Sequence, residues 1–487
     1  MQIENNIKKK AVSGAIWKFL ERMSAQLVSM IVAIILARLL EPEDYSVVSI
    51  VTIFFTFANV FITSGFNVAL IQKKEPDAEE YSSALYLSVG MAVLLYAVLF
   101  FCAPIIAGLY ERPMLIRVVR IMGLILPVNA LKAIVCAYIS SNLQFRKFFF
   151  ATLVGTLASA VIGIVMAYAG AGPWALVTQQ MTNTIIDTLI LCATTRMPLV
   201  AYISGKKIRE MFRYSWKVFT SSVIDVIYQE VNPLFIGLKY TGTDLAFYSK
   251  GKSFPCLLAT VCNSTLSAVL FPVLAKFQDD RDELLRCLRR FTQIATFVVF
   301  PALLGFLAVS DNFVMLLLTE KWLPAAKYIR IFCVGSLMVS VEAGNRETLK
   351  ALGRSDIFLK YEVIKKVFYF SIIGLCIFLT DSPVGVAYSA IGCTAVILIA
   401  ALVSNARVLG YSIRCQLEDF LPNLACSCVM CIGVQMVDIG SNSVGAELAL
   451  QILVGIIVYI GVCALTRNES FRYIWNIVKQ MIRRTIN

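Results

Sequence analysis

About fourteen apolar stretches, each roughly 20 residues or longer, run almost end to end from Ser13 to Thr466. A stretch of that length spans a bilayer as a helix, because only a helix or a closed barrel satisfies its own backbone where there is no water. In a chain of 487 residues this leaves no room for a soluble domain. The composition agrees: 59% of residues are apolar or aromatic and only 15% are charged, against about 25% charged in soluble domains.

The stretches read as roughly 13–40, 45–71, 83–109, 115–140, 148–169, 173–194, 214–238, 245–275, 288–309, 326–349, 357–379, 384–406, 417–438 and 446–466. Loop charge orients them. With the N-terminus inside, the inner loops and tails hold Lys8, Lys9, Lys10, Lys73, Lys74, Arg146, Lys147, Arg196, Lys206, Lys207, Arg209, Arg213, Lys276, Arg281, Arg286, Arg289, Arg290, Lys350, Arg354, Lys360, Arg407, Arg414, Arg467, Arg472, Lys479, Arg483 and Arg484. The outer loops hold Arg112, Lys239 and Lys321. Both termini are therefore expected in the cytoplasm. The same asymmetry accounts for the formal charge of +13 without any nucleic-acid partner.

The chain also echoes itself at an offset of about 200 residues. Ala15-Ile16-Trp17-Lys18 opens the first stretch and Tyr214-Ser215-Trp216-Lys217 the seventh. Glu111-Arg112-Pro113 is matched by Glu320-Lys321-Trp322-Leu323-Pro324, and Arg120-Ile121 by Arg330-Ile331. Six stretches separate the copies, so the halves point the same way, a plan used by membrane transporters. The expected fold is an all-α integral membrane protein with about 14 transmembrane helices. Residues 1–200 and 201–410 form two parallel six-helix repeats around a central cavity. Residues 411–466 add two helices, and residues 467–487 an amphipathic cytoplasmic tail with Phe471, Ile474, Trp475, Val478, Met481 and Ile482 on one stripe.

Ionisable groups inside such stretches are costly unless they face a partner or a hydrated cavity. Lys18, Glu21, Arg22, Lys132, Asp187, Lys217, Asp225, Glu230, Lys250, Lys252, Glu342 and Arg346 are of this kind. Glu347, Glu362, Lys365 and Lys366 lie near inner ends and read as interfacial. Lys18, Arg22 and Gln26 share one helix face, as do Lys217, Ser221, Asp225, Tyr228 and Asn232. The repeat sets these two faces across the cavity. For Lys18, Arg22 and Lys217 the competing reading is that they snorkel to the inner boundary. Asp225 and Glu342 are the expected sites of proton or sodium coupling, as the deepest acids on the inner-facing stripes.

Other motifs carry less. Cys426, Cys428 and Cys431 read as small core residues, like most of the 14 cysteines, and not as a metal site. The acidic run from Gln278 to Glu283 lacks the second acidic box that magnesium-diphosphate chemistry needs, and reads as a solvated turn. Phosphate-binding loops, nucleotide fingerprints and nucleophile elbows do not occur, so no cofactor and no enzymatic reaction is expected.

Four segments carry a family resemblance: Ala37-Arg38-Leu39-Leu40-x-Pro42-Glu43-Asp44-Tyr45, the run from Asp244 to Lys252, the run from Leu317 to Pro324, and Ala351-Leu352-Gly353-Arg354-Ser355-Asp356. With them the chain resembles the polysaccharide-transport (Wzx/WzxC-like) oligosaccharide flippases of the multidrug/oligosaccharidyl-lipid/polysaccharide exporter superfamily. The resemblance implies two bundles that rock between inward- and outward-open states. It implies a cargo of oligosaccharide on a polyprenyl diphosphate, moved from the inner to the outer leaflet of a bacterial inner membrane beside a polymerase and glycosyltransferases. Lys18, Arg22, Lys217, Lys250 and Lys252 would then receive the diphosphate, while Gln26, Ser221 and Asn232 bind sugar. The polyprenyl tail would stay among the membrane lipids. Ser46 and Ala246 stand where the family often has Gly, and Asn232 where many members have Asp. Two rival functions use different features. A cation-coupled drug antiporter favours an acidic cavity, and a membrane glycosyltransferase or ligase needs a long outer catalytic loop.

Overall fold

A computed structural model describes residues 2–63, 67, 70, 71, 73, 76–142, 144–200, 202–276, 280–352, 355–437, 443–473, 475, 476 and 479. Side chains are described for these except 2–12, 15, 214, 264–276, 350, 351, 355, 356, 358 and 359. Every element is helical: α1 Gln2–Leu39, α2 Pro42–Thr63, α3 Ala78–Leu109, α4 Met114–Gly123, α5 Ile125–Ser141, α6 Arg146–Tyr168, α7 Pro173–Thr194, α8 Gly205–Lys239 and α9 Gly242–Lys276. Then come α10 Arg281–Ala308, α11 Ser310–Leu317, a 3₁₀ turn at Glu320–Trp322, α12 Pro324–Ser336, α13 Val339–Ala351, α14 Ser355–Leu379, α15 Pro383–Ala387, α16 Ser389–Leu409, α17 Ile413–Gln435 and α18 Val444–Leu465.

Among the described residues ten helical segments, three of them made of two consecutive helices, are long and apolar enough to cross a membrane, so the chain is a multi-pass membrane protein. Four more have the length but carry polar side chains. These are α7 with 22 residues, α8 and α9 with 35 each, and α14 with 25. Several helices outrun their apolar stretch. Residues 205–213 are helical although they carry Lys206, Lys207 and Arg209, because a helix satisfies its backbone in water as well as in lipid. The stretch 115–140 is not one helix. Pro127 has no N–H to give the Gly123 carbonyl, and α4 gives way to α5 at Leu124.

The chain forms two compact units, Met1–Ala246 and Phe247–Asn487. By sequence repetition the halves divide near residue 200. By packing, α8 belongs with the first unit, because it lies against α2 and α3. In that unit α6 and α7 pack most extensively, and small residues explain it. Gly155, Ser159 and Gly163 lie at successive turns. A Cβ at Gly155 would stand 3.2 Å from the Asn183 carbonyl and from the Asp187 Cβ, and one at Gly163 only 3.0 Å from Gln179. A second core joins α3, α5 and α8 through Tyr81, Ala84, Ile134, Ala137 and Met211. In the second unit α10 packs on α17 and α13, and α16 on α14, α12 and α13.

The repeat has local echoes. The Glu41 N–H donates to Asp44 Oδ2 at 3.0 Å, and the Thr241 N–H donates to Asp244 Oδ2 at 3.2 Å. Each closes the first turn of the helix that follows, α2 and α9. Glu111 and Thr319, both just past a helix end, hold φ of 52° and 83°. Pro173 and Pro383 each open a helix at its first turn.

Candidate functional site

In the first unit four of the charges expected inside the membrane, Lys18, Glu21, Lys132 and Asp187, gather where α1, α5, α6 and α7 meet. Lys18 Nζ lies 2.7 Å from Glu21 Oε2, one turn away, and 4.4 Å from the centre of the Phe148 ring on α6. Glu21 accepts a long hydrogen bond from Thr152 Oγ1 at 3.5 Å. Lys132 on α5 pairs with Asp187 on α7 at 2.5 Å. The Cys136 thiol lies within electrostatic reach of all four charges. Asp187 is 7% exposed at its side chain, and the Lys132 ammonium is its charged partner there. Asn129 Nδ2 donates to Asn59 Oδ1 at 2.9 Å, which adds a polar tie between α5 and α2.

The residues expected to bind cargo in this unit lie on α1 and α8. Arg22 is exposed and Gln26 half-buried. On α8, Lys217 and Ser221 are exposed, Asp225 is half-buried and Asn232 is buried, so that face grades from open to closed along the helix. Phe219 meets Phe61 of α2 edge-on at 5.1 Å and fixes the rotation of α8 there. Lys18 has its carboxylate partner, Glu21, on its own helix one turn away. Its charge is locally balanced before any anion arrives.

Lys250, Lys252 and Glu342 lie in the second unit. Lys250 is buried, 5.6 Å from the centre of the Trp322 ring. The next residue explains its depth. A Cβ at Gly251 would fall 2.4 Å from Tyr328 Cβ and 2.9 Å from the Ala325 carbonyl, so only glycine lets α9 close on α12 here. The runs 244–252 and 317–324 thus meet at Lys250 and Trp322. Lys252 is half-buried one turn before Cys256.

Glu342 is buried on α13 and forms an ion pair with Lys365 of α14, which also binds Glu362 at 2.9 Å. The Lys365 ammonium sits 5.3 Å from the Tyr361 ring. The sequence places Lys365 and Glu362 at the interface. The structure buries Lys365 to 12% side-chain exposure, because α14 packs on α13 and aims it at Glu342. Two carboxylates share one ammonium here.

A third cluster was not legible as a site. Asp419 on α17 accepts from Arg289 Nε at 2.8 Å, from an Arg289 terminal nitrogen at 3.0 Å, from Gln293 Nε2 at 2.7 Å and from the Tyr411 hydroxyl. Asn423 and Asn468 extend it, bonded at 2.9 Å. The acidic run ends as a cap: Asp280 accepts from the N–H groups of Asp282 and Glu283 at 3.1 and 3.0 Å. Gln278 and Asp279 lie outside the described residues, as do Ile474, Val478, Met481 and Ile482 of the tail stripe. Among the described residues no group of three or more His, Cys, Asp and Glu is placed to hold a metal.

The model of the family described as "Polysaccharide biosynthesis protein" matches residues 35–327, well over half of the chain. The chain belongs to this family. An uncharacterized membrane protein in the cps region of Klebsiella pneumoniae is 22% identical across 98% of this chain and 99% of its own length. The lipopolysaccharide biosynthesis protein WzxC of Escherichia coli (strain K12) is 23% identical over 74% of each chain. The inward closed conformation of the lipid II flippase MurJ has the same fold, with a TM-score of 0.76 over 93% of this chain and 98% of that one, at 16% identity. Within this polysaccharide biosynthesis family the matched span covers the first unit from the end of α1 and reaches the Lys250–Trp322 contact of the second.

Proposed function

We propose that the chain is a flippase. It carries a polyprenyl-diphosphate-linked oligosaccharide from the inner to the outer leaflet of a bacterial cytoplasmic membrane, by alternating access of two six-helix halves. The observation that carries the reading is the family match, set on a chain whose helices cross a membrane and which shares the fold of a lipid II flippase. A membrane-embedded member of a polysaccharide pathway with polar groups inside its spans is suited to moving a lipid-borne saccharide. Arg22, Lys217, Lys250 and Lys252 supply cations for the diphosphate, and Lys18 joins them by exchanging Glu21 for the incoming anion. Gln26, Ser221 and Asn232 offer hydrogen bonds to sugar hydroxyls. Asp225 and the Glu342–Lys365–Glu362 group are the coupling sites for a proton or sodium ion. Both termini are cytoplasmic, glycosyltransferases act before the flip, and a polymerase acts after it.

The test is surface polysaccharide in cells that carry Arg22→Ala/Lys250→Ala, measured beside the abundance of the protein in the membrane. Losing a charge-assisted contact lowers affinity by about ten- to a hundredfold. Export should collapse while abundance stays near normal, and Lys250→Arg should keep part of the activity. Normal export by the double variant removes these residues from the cargo site, and unchanged surface polysaccharide in cells lacking the whole chain removes the flippase reading.

A further inference from the structure

On the second unit α14 and α16 pack side by side and leave a groove of about 500 Å³. Its walls are aliphatic and aromatic. Ile364, Phe368 and Ile399 line it while remaining 52%, 54% and 60% exposed, so the trough opens sideways and is not closed over by the protein. One end differs in chemistry. Lys360, near the start of α14, and Arg407, in the last turn of α16, line that end together. Both are exposed. One turn below Arg407 the Ser404 hydroxyl also lines the groove. It is buried at 9% residue exposure and finds no hydrogen-bond partner among the described residues. A buried hydroxyl without a partner is unfavourable, and an orphan aimed into a groove points to an acceptor that completes it.

We propose that this groove binds one anionic glycerophospholipid of the surrounding bilayer. An acyl chain fills the trough, the phosphate lies between Lys360 and Arg407, and Ser404 donates to an ester oxygen beneath the headgroup. The order of the groups decides the class of lipid. A glycerophospholipid places ester acceptors one step below its phosphate, at the depth of Ser404. A polyprenyl diphosphate has only hydrocarbon below its phosphates and would leave that hydroxyl unsatisfied. Basic pockets between membrane helices near the cytoplasmic surface are where anionic headgroups are held, and loop charge assigns Lys360 and Arg407 to that side. The assignment does not depend on what the protein transports.

Native mass spectrometry of the full chain in detergent tests it. The chain is titrated with phosphatidylglycerol, with phosphatidylcholine of the same acyl chains, and with a polyprenyl phosphate. One phosphatidylglycerol should be retained per chain, with the other two bound at least tenfold more weakly at this site. Lys360→Ala/Arg407→Ala should weaken phosphatidylglycerol retention about tenfold or more, by loss of charge-assisted contacts. Ala400→Phe, which fills the trough and leaves both charges, should abolish the adduct. Both cationic positions are at the surface, so the charge variant tests the site even if Ala400→Phe fails to fold. Equal retention of the two phospholipids, or unchanged phosphatidylglycerol retention by the charge variant, overturns the proposal. So does tighter binding of the polyprenyl phosphate in competition.

Discussion

Asp419 gathers four hydrogen bonds at one buried carboxylate of the second unit. Its carboxylate takes both prongs of Arg289, the Gln293 amide and the Tyr411 hydroxyl, at 4% exposure. Burial, and then the hydrogen bond to Asp419, push the Tyr411 phenol well above its ordinary pKa, so it remains a donor at any physiological pH. Removing the acceptor leaves a guanidinium, an amide and a phenol facing one another. Asp419→Ala should therefore cost about 1–3 kcal/mol, chiefly for the buried amide and phenol left unpaired, since the Arg289 side chain is 41% exposed and can turn to water. Thermal unfolding of the purified protein in detergent measures this, with Arg414→Ala as the control, since the Arg414–Glu418 pair is exposed and adds little. Equal stability of Asp419→Ala and the parent would show that the network is incidental. The loop side of Arg289 was readable from charge, but its partner 130 positions away was not, because charge patterning gives no distances between helices.

At the scale of the element, α7 packs on α5, where Asp187 meets Lys132, and closes on α6 beside that same carboxylate. Gly155 is the contact point, with three neighbouring atoms at 3.2 Å from where a Cβ would stand. Gly155→Leu must push α7 outward or distort it, at a cost of about 1–3 kcal/mol for overpacking. It should lower both thermal stability and transport, whereas Gly90→Leu, which meets open space on α3, should change neither. A Gly155→Leu protein as stable and active as the parent would refute the packing role. The sequence shows the glycine and the two charges separately. Helical periodicity places residues on a face of their own helix, so Lys18, Arg22 and Gln26 could be aligned from spacing alone. It does not say which helix lies opposite. That is why the Lys132–Asp187 and Glu342–Lys365 pairs emerge only from the fold: spacing places Lys365 near a span end but does not name the carboxylate of α13 that it meets there.

For the whole molecule the open quantity is the number of crossings. Within the first unit Lys207 bonds Asp77 and Glu79, and the N–H groups of Val200 and Ser204 donate to Ser82 and Ser83 at 2.8 and 3.0 Å. The Lys207 ammonium, first among the causes, holds the Asp77 carboxyl below its ordinary pKa. At the other end Arg112 donates to Ser46 at 2.6 Å, and Gly172 and Gly242 approach Asp44 and Arg112. In the second unit Arg281 bonds the Leu409 carbonyl, while Asn312 bonds Glu447 and Gln451. Each of these contacts joins loops that charge assigns to the same side, which is what strict alternation of crossings requires. The four polar helices α7, α8, α9 and α14 are the ones whose crossing apolarity alone does not carry, and reporter fusions can bracket each of them. Fusions after Gly170, Lys239 and Ser382 should report outside, and fusions after Arg209, Arg286 and Leu352 inside. The pairs 170/209, 209/239, 239/286 and 352/382 then enclose α7, α8, α9 and α14 in turn. Two fusions of a pair on the same side would remove that helix from the membrane. Loss of α8 or α9 alone would also reverse the orientation of every later loop. The excess of Arg and Lys after residue 280 would then face outward against the charge rule, so fourteen crossings and cytoplasmic termini stand or fall together.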